Sequence, residues 1–289
     1  MGFDELQSQA ESQAQDFIET IRQRIALEIV RARMDVYGMK KARDAVGSII
    51  DNEFTQAGYR FQDSLGSAWT AGAGQSVPVQ TDSMASEMLG AFGELAASMK
   101  KKITSSITRA SLGEVSKEDL LDEIGKDAGE GMFKSFTARA VGIVSHELEM
   151  ANSYAIQVAA EHEARALMLN RPSFSLTKST NALGQRKFPR QLKVWVHSHK
   201  GLVPRPEHVA LDKCAVFFDQ KFRIDADDGT YYARFPHDPA LPIGQTANCR
   251  CAAPPKIIYV TADEEKALRA HMAESGGSDK SVYAKYETF

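Results

Sequence analysis

Apolar residues recur every three or four positions through the first 170 residues of the chain. Phe17, Ile18, Ile21, Ile25, Ile29 and Ala32 form one stripe, with Arg22, Arg24, Glu28 and Arg31 between them. This is the 3.6-residue period of an amphipathic helix. A second stripe runs through Ala42, Val46, Ile50, Phe54, Ala57 and Phe61. Gly38 stands between the two, either as a break or as a weak point in one longer helix. Residues 66–82 carry Gly72, Gly74 and Pro78 among small polar residues and predict a loop or hinge. Ser83 is placed to cap a third helix bearing Met84, Met88, Phe92, Leu95, Met99 and Ile103. Ser116 and Asp119 have the spacing of a capping box and predict a short fourth helix. Phe136, Ala140, Val144, Leu148, Ala151, Ala155 and Val158 share one face of a long fifth helix. That helix must stop before Pro172, because the residue ahead of a proline disfavours helical backbone.

After Pro172 the period changes. Residues 192–196, 215–218 and 256–260 are rich in branched and aromatic side chains and predict short strands. Prolines cluster from Pro204 to Pro255. Thr261 and Glu264 form another capping-box pair, predicting a helix over 262–272, and Gly276 and Gly277 then release a polar tail. The expected fold is α+β: a long-helix N-terminal region over 1–170 with a hinge at about 66–82, then a small C-terminal domain of short strands and ordered loops over 171–262. A short helix and polar tail over 263–289 complete it.

Composition narrows the class. A chain of 289 residues suits about two domains, and 43% apolar with 25% charged residues excludes disorder along its whole length. No run approaches the uninterrupted apolar length of a membrane span, so none is expected. Residues 1–15 are polar and acidic, without the basic and apolar regions of a secretory leader. Three cysteines are too few for a disulfide scaffold, which suggests a reducing compartment.

The net charge of -3 does not mark a nucleic-acid binder, but its distribution is uneven. Residues 171–210 hold eight basic side chains against one acidic, Glu207. Arg171, Lys178, Arg186, Lys187, Arg190, Lys193 and Lys200 are thus candidate contacts to DNA phosphate or to an acidic protein surface. The alternative is a solvated loop.

The residues with chemical potential lie between Trp195 and Cys251. Arg205 and His208 form Arg-x-x-His and are followed by Leu211 and Asp212; Asn248, Cys249, Arg250 and Cys251 come about 35 residues later, and His237 sits between. Cys249 and Cys251 have enough soft neighbours in His208, Cys214 and His237 for a four-ligand zinc site, yet Cys-x-Cys lacks the usual zinc-knuckle turn. In an extended segment both thiols point the same way, and free cysteine is commonly buried as a small apolar group. His208, Asp212 and a cysteine match the inventory of a cysteine hydrolase, without a nucleophile elbow or a cysteine at a helix start. A hydrogen-bonded brace for irregular loops fits the same residues, since Arg205 has five donors with which to tie loop carbonyls. Phosphate-binding glycine motifs are absent.

In this order, Trp195, Arg205, His208, Leu211, Asp212, Asn248, Cys249, Arg250, Cys251 and Pro254 resemble the C-terminal signature of the phage Mu F-like minor head proteins, a head-morphogenesis family of tailed phages. The end of the fifth helix, 139–152 with Ser145, His146 and Glu147, resembles the helix that precedes that signature. The resemblance covers about residues 135–258. It departs where the family has glycine after Leu-Asp and this chain has Lys213, so the turn there is expected to be built differently. The resemblance implies a structural virion protein with no enzymatic activity, and no cofactor or metal is expected. It implies several copies around the portal vertex, made in the host cytoplasm, that assist head assembly and genome packaging and delivery. Portal protein, major capsid or scaffold protein and double-stranded DNA are the implied partners. The signature residues enter as fold determinants. Two alternatives stand beside this one: a zinc-dependent or cysteine/histidine enzyme module, and a DNA-binding factor outside the virion.

Overall fold

The structure, a computed structural model, describes residues 2–74, 77–169, 185, 187–197, 204–246, 249–275 and 280–286. It is α+β, with long helices first and short antiparallel strands after them. The chain packs as two compact units. One comprises Met1–Ala68 and Val79–Leu148, the other Trp69–Pro78 and Glu149–Phe289.

The apolar stripes become α1 (Phe3–Arg31), α2 (Val36–Ala73), α3 (Asp82–Ser111) and α5 (Phe133–Leu169). The first break does not fall at Gly38. Helix α1 ends at Arg31, where the Lys117 ammonium donates to the carbonyls of Val30 and Ala32 at 3.0 and 2.7 Å, a cation where the helix dipole favours one. Asp35 Oδ1 then accepts the Gly38 N–H at 2.7 Å and so caps α2. A Cβ at Gly38 would stand 2.4 Å from the Arg33 carbonyl, which is why the tight entry takes glycine.

The hinge expected over 66–82 is shorter than its composition suggests. Ala68, Trp69 and Ala73 continue the buried stripe, so α2 runs on to Ala73 and ends where Gly74 takes left-handed backbone, φ 71°. Gly72 is a contact and not a flexible joint: a Cβ there would meet the Asn152 carbonyl at 2.4 Å. Helix α3 starts one residue ahead of Ser83, with Thr81 as its N-cap.

In the first unit, Phe17 of α1, Phe54 and Phe61 of α2 and Phe92 of α3 pack ring against ring at 5.1–6.2 Å. The predicted capping box forms: Ser116 Oγ accepts the Asp119 N–H at 3.0 Å and opens α4 (Lys117–Ile124). Leu120 and Ile124 are fully buried, and α4 lies against α1 and α3.

The second unit is built on β1 (Phe188–Val194), which pairs antiparallel with β2 (Ala215–Phe217) on one edge and β5 (Pro255–Val260) on the other. The ladder continues past Val194, because Trp195 N–H donates to the Cys214 carbonyl at 2.8 Å and Val196 bridges Ala252. Strand parity divides the side chains between two cores. Leu192 and Val194 join Ala215, Phe217, Ile258, Val260, Leu268 and Met272 on one face. Trp195 joins Cys214, Val216, Phe222, Ile224, Cys249 and Cys251 on the other.

The first face is covered by α8 (Ala262–Glu274), opened by the predicted Thr261–Glu264 capping box, and by Val282 of α9 (Ser281–Tyr286). The expected tail is therefore partly core; Gly276 and Gly277 lie outside the described residues. The second face is covered by β3 (Phe222–Ala226) and β4 (Gly229–Ala233), a hairpin in which Phe222 and Ile224 point inward while Arg223 and Asp225 face out. Two short helices complete this side, α6 (Pro206–Ala210) and α7 (Ile243–Thr246). Among the described residues no helix is long and apolar enough to cross a membrane.

Candidate functional site

Proline at the first position of α6 pre-sets its turn, and the helix carries His208 into the core, 2% exposed. The His208 ring stands edge-on to Trp195, centroids 5.2 Å apart. Its Nε2–H donates to Gln245 Oε1 at 3.0 Å, and Gln245 Nε2 in turn donates to Glu207 Oε1 at 3.0 Å. Two sulfurs face its other nitrogen: Cys249 Sγ lies 3.3 Å and Cys251 Sγ 3.7 Å from Nδ1. The Cys-x-Cys segment is extended enough to send both thiols the same way. Cys214, also buried, turns instead to the Ala210 carbonyl at 3.7 Å.

His237 is the neighbour that the signature did not single out. It is wholly buried, takes left-handed backbone with φ 63°, contacts Cys249, and places Nε2 3.8 Å from Glu149 Oε2. Asp238 beside it is equally buried. Burial alone would raise its carboxyl, but the Arg234 guanidinium and the N–H groups of Arg234 and Ala240 outweigh that and hold it below the usual range.

The two thiols are pulled apart in acidity. Cys249 is driven strongly down, first by the hydrogen bond from Cys251 and further by His208 and His237. Cys251 is driven up by that same bond and by burial. Burial opposes protonation of His237, yet the Cys249 contact and the Cys249 and Glu149 charges raise it overall. The chemistry on offer is a buried cluster of two sulfurs and imidazole, with Cys249 the more acidic thiol.

The other signature residues latch the loops around it. Arg205 Nε donates to the Gly244 carbonyl at 2.7 Å, the tie to a loop carbonyl that its donor count suggested. Asp212 Oδ1 accepts the His197 N–H at 2.9 Å. Lys213 corrects the expectation of a differently built turn. It adopts left-handed backbone itself, φ 66°, while its N–H donates to the Trp195 carbonyl at 2.8 Å. Arg250 is exposed, 3.9 Å from Glu149 Oε1. Asn248 lies outside the described residues.

The basic set fares differently. Lys193 is no surface contact: it has the parity of Trp195 on β1, so strand geometry turns it inward, 1% exposed. Its ammonium sits 5.5 Å from the Phe218 ring centroid and 5.7 Å from that of Phe222. Burial, and then the Arg234 charge, push it down to about 8. Arg190 is committed to Glu265 at 2.6 Å. Lys187 is half-buried. Arg171, Lys178, Arg186 and Lys200, with the polar stretch 173–182, lie outside the described residues.

A prediction follows for Lys193. At neutral pH the folded chain holds a charged amine on an apolar face. Lys193→Met is expected to leave any DNA or portal affinity unchanged and to stabilise the fold by about 1–3 kcal/mol at pH 7. Between pH about 8 and 10.5 the unfolded chain binds a proton that the folded one has lost, so wild-type stability gains on raising the pH through that window. The variant lacks that gain. Urea unfolding at pH 7 and pH 10 checks both points.

Sequence reasoning found His208, Cys249 and Cys251 as a group and named His237 as a possible zinc ligand. It missed Gln245, Glu207 as an orienting carboxylate, and Glu149. These lie 37, 1 and 59 residues from His208 along the chain, and no local pattern connects them. Comparison of the chain with family models, with curated proteins and with solved structures returned no match.

Proposed function

We propose that the chain is a structural minor head protein of a tailed phage, of the Mu F-like kind, bound at the portal vertex and assisting head assembly and genome delivery. One observation carries this reading. Four of the signature side chains turn inward: Trp195, His208, Cys249 and Cys251 are each at most 6% exposed, and Arg205 and Asp212 latch the loops around them. Residues that hold a scaffold together pack this way; a turnover site needs a place for substrate.

Partner contact falls to other surfaces. Leu27, Val30, Met34, Val36 and Tyr37, around the α1–α2 junction, are 40–76% exposed. Such a concentration of exposed apolar side chains is unusual unless something covers it, and portal protein is the occupant that this reading assigns. Arg171, Lys178, Arg186, Lys187 and Lys200 remain as the basic set for portal or DNA.

The test is co-expression with the portal protein of the same genome, followed by sedimentation. The chain is expected to travel with portal rings. Val36→Asp with Tyr37→Asp is expected to release it by at least tenfold with the melting temperature unchanged. Failure to co-sediment under any salt condition, or a metal-dependent turnover abolished by His208→Ala, overturns the reading in favour of the enzyme module. Salt-sensitive DNA binding without portal association favours the factor outside the virion.

A further inference from the structure

We propose that His208 Nδ1, Cys249 Sγ and Cys251 Sγ hold one Zn²⁺ in a structural centre that ties α6 to the segment after α7. The proposal does not depend on the virion reading.

The spacing of the donor atoms is the first argument. Zinc binds thiolate sulfur at about 2.3 Å and imidazole nitrogen at about 2.0–2.1 Å in a tetrahedron, which sets the sulfur–nitrogen edge at about 3.6 Å. The two edges here are 3.3 and 3.7 Å, and every pair among the three donor atoms lies within 4.8 Å. They already stand as one face of such a tetrahedron.

The second argument is the tautomer. Gln245 Oε1 accepts the hydrogen bond from His208 Nε2–H, and Glu207 fixes the Gln245 amide in that orientation. The lone pair is thereby left on Nδ1, the nitrogen that both sulfurs face. Metal-bound histidines are held in this manner, the distal N–H donated to an oxygen that is itself anchored. A single thiol proton would satisfy the lone pair; two converging sulfurs exceed that need.

Burial supplies the third argument. All three donor residues are at most 6% exposed, and two sulfurs with an imidazole select zinc over the hard oxygen-seeking cations. The missing knuckle at Cys-x-Cys is no obstacle, because α6 brings His208 to the pair from 41 residues away. His237 stands beside Cys249 without joining the three donors.

The test uses the full-length chain, purified by gel filtration after expression with added zinc. Plasma mass spectrometry is expected to give one zinc per chain, and X-ray absorption at the zinc edge a shell containing two sulfurs and at least one nitrogen. A chelator is expected to lower the melting temperature, and zinc to restore it. The pair Cys249→Ser with Cys251→Ser is expected to lose the metal. Because that variant can fail to fold, the wild-type spectrum decides. Substoichiometric metal that excess zinc does not raise, a shell without sulfur, or a Cys249–Cys251 disulfide leaving one free thiol overturns the proposal.

Discussion

Replacing Glu147 by glutamine is expected to stabilise the chain by a few kcal/mol at about pH 8.5 and to flatten its stability profile across the neutral range. Glu147 lies on α5 within the first compact unit, 5% exposed. Its Oε2 has no hydrogen-bond partner among the described residues. Burial, with the like charge of Glu87 added, pushes its carboxyl up from 4.5 to about 8. Between those two values the folded chain keeps a proton that the unfolded chain has released. Stability therefore falls as pH rises through the window, by about 1.4 kcal/mol for each unit at most, and levels off above it. Glutamine keeps the shape and removes the charge. Urea unfolding of both proteins at about pH 5, 7 and 8.5 measures the difference. Near pH 5 the two should agree closely. A wild-type stability that climbs through the window would mean that Glu147 is ionised and partnered in the folded state, contrary to its surroundings.

What the chain discloses in advance is mostly local. Ser116 with Asp119 and Thr261 with Glu264 each satisfy helix-end N–H groups within four residues, so both helix starts are legible from spacing alone. The strand near Trp195 is legible too, because branched and aromatic residues leave few other conformations. The hairpin of β3 and β4 has a local signature as well: Phe222 and Ile224 alternate with Arg223 and Asp225, and Asp228–Gly229 marks the reversal.

The glycines between 66 and 82 misled for another reason. Composition treats glycine as punctuation, whereas Gly72 is there because Asn152 approaches its backbone. That approach joins residues 80 positions apart, and no window along the chain contains both. Lys193 repeats the lesson in charge. Counted among basic neighbours it looks solvated, but the parity of β1, set by pairing with β2 and β5, places it beside Trp195. The site divides the same way. The common direction of Cys249 and Cys251 follows from extended backbone, while Gln245 and Glu149 reach it only through the fold.

Trp195→Ala is expected to be the most damaging single substitution in the second unit, costing about 3–5 kcal/mol. The indole is fully buried and meets two rings edge-on, His208 and Phe222, each with centroids 5.2 Å away. A buried tryptophan removes on the order of 150–250 Å² from water, which at roughly 25 cal/mol per Å² already amounts to several kcal/mol. Neighbours cannot close the cavity cheaply. On one edge the Trp195 backbone is hydrogen-bonded to Lys213 and Cys214, and on the other Val196 is tied to Ala252, so the strand holds its place while its side chain vanishes. The loss also strips the wall against which the imidazole and Cys251 rest. Two measurements report it separately: the unfolding midpoint in urea, and the rate at which the three buried cysteines react with a thiol reagent in native buffer. Both should change together, the midpoint falling and the thiols becoming reactive. A cost below about 1 kcal/mol with the thiols still protected would show that the face collapses freely and that Trp195 fills space without organising the cluster beside it.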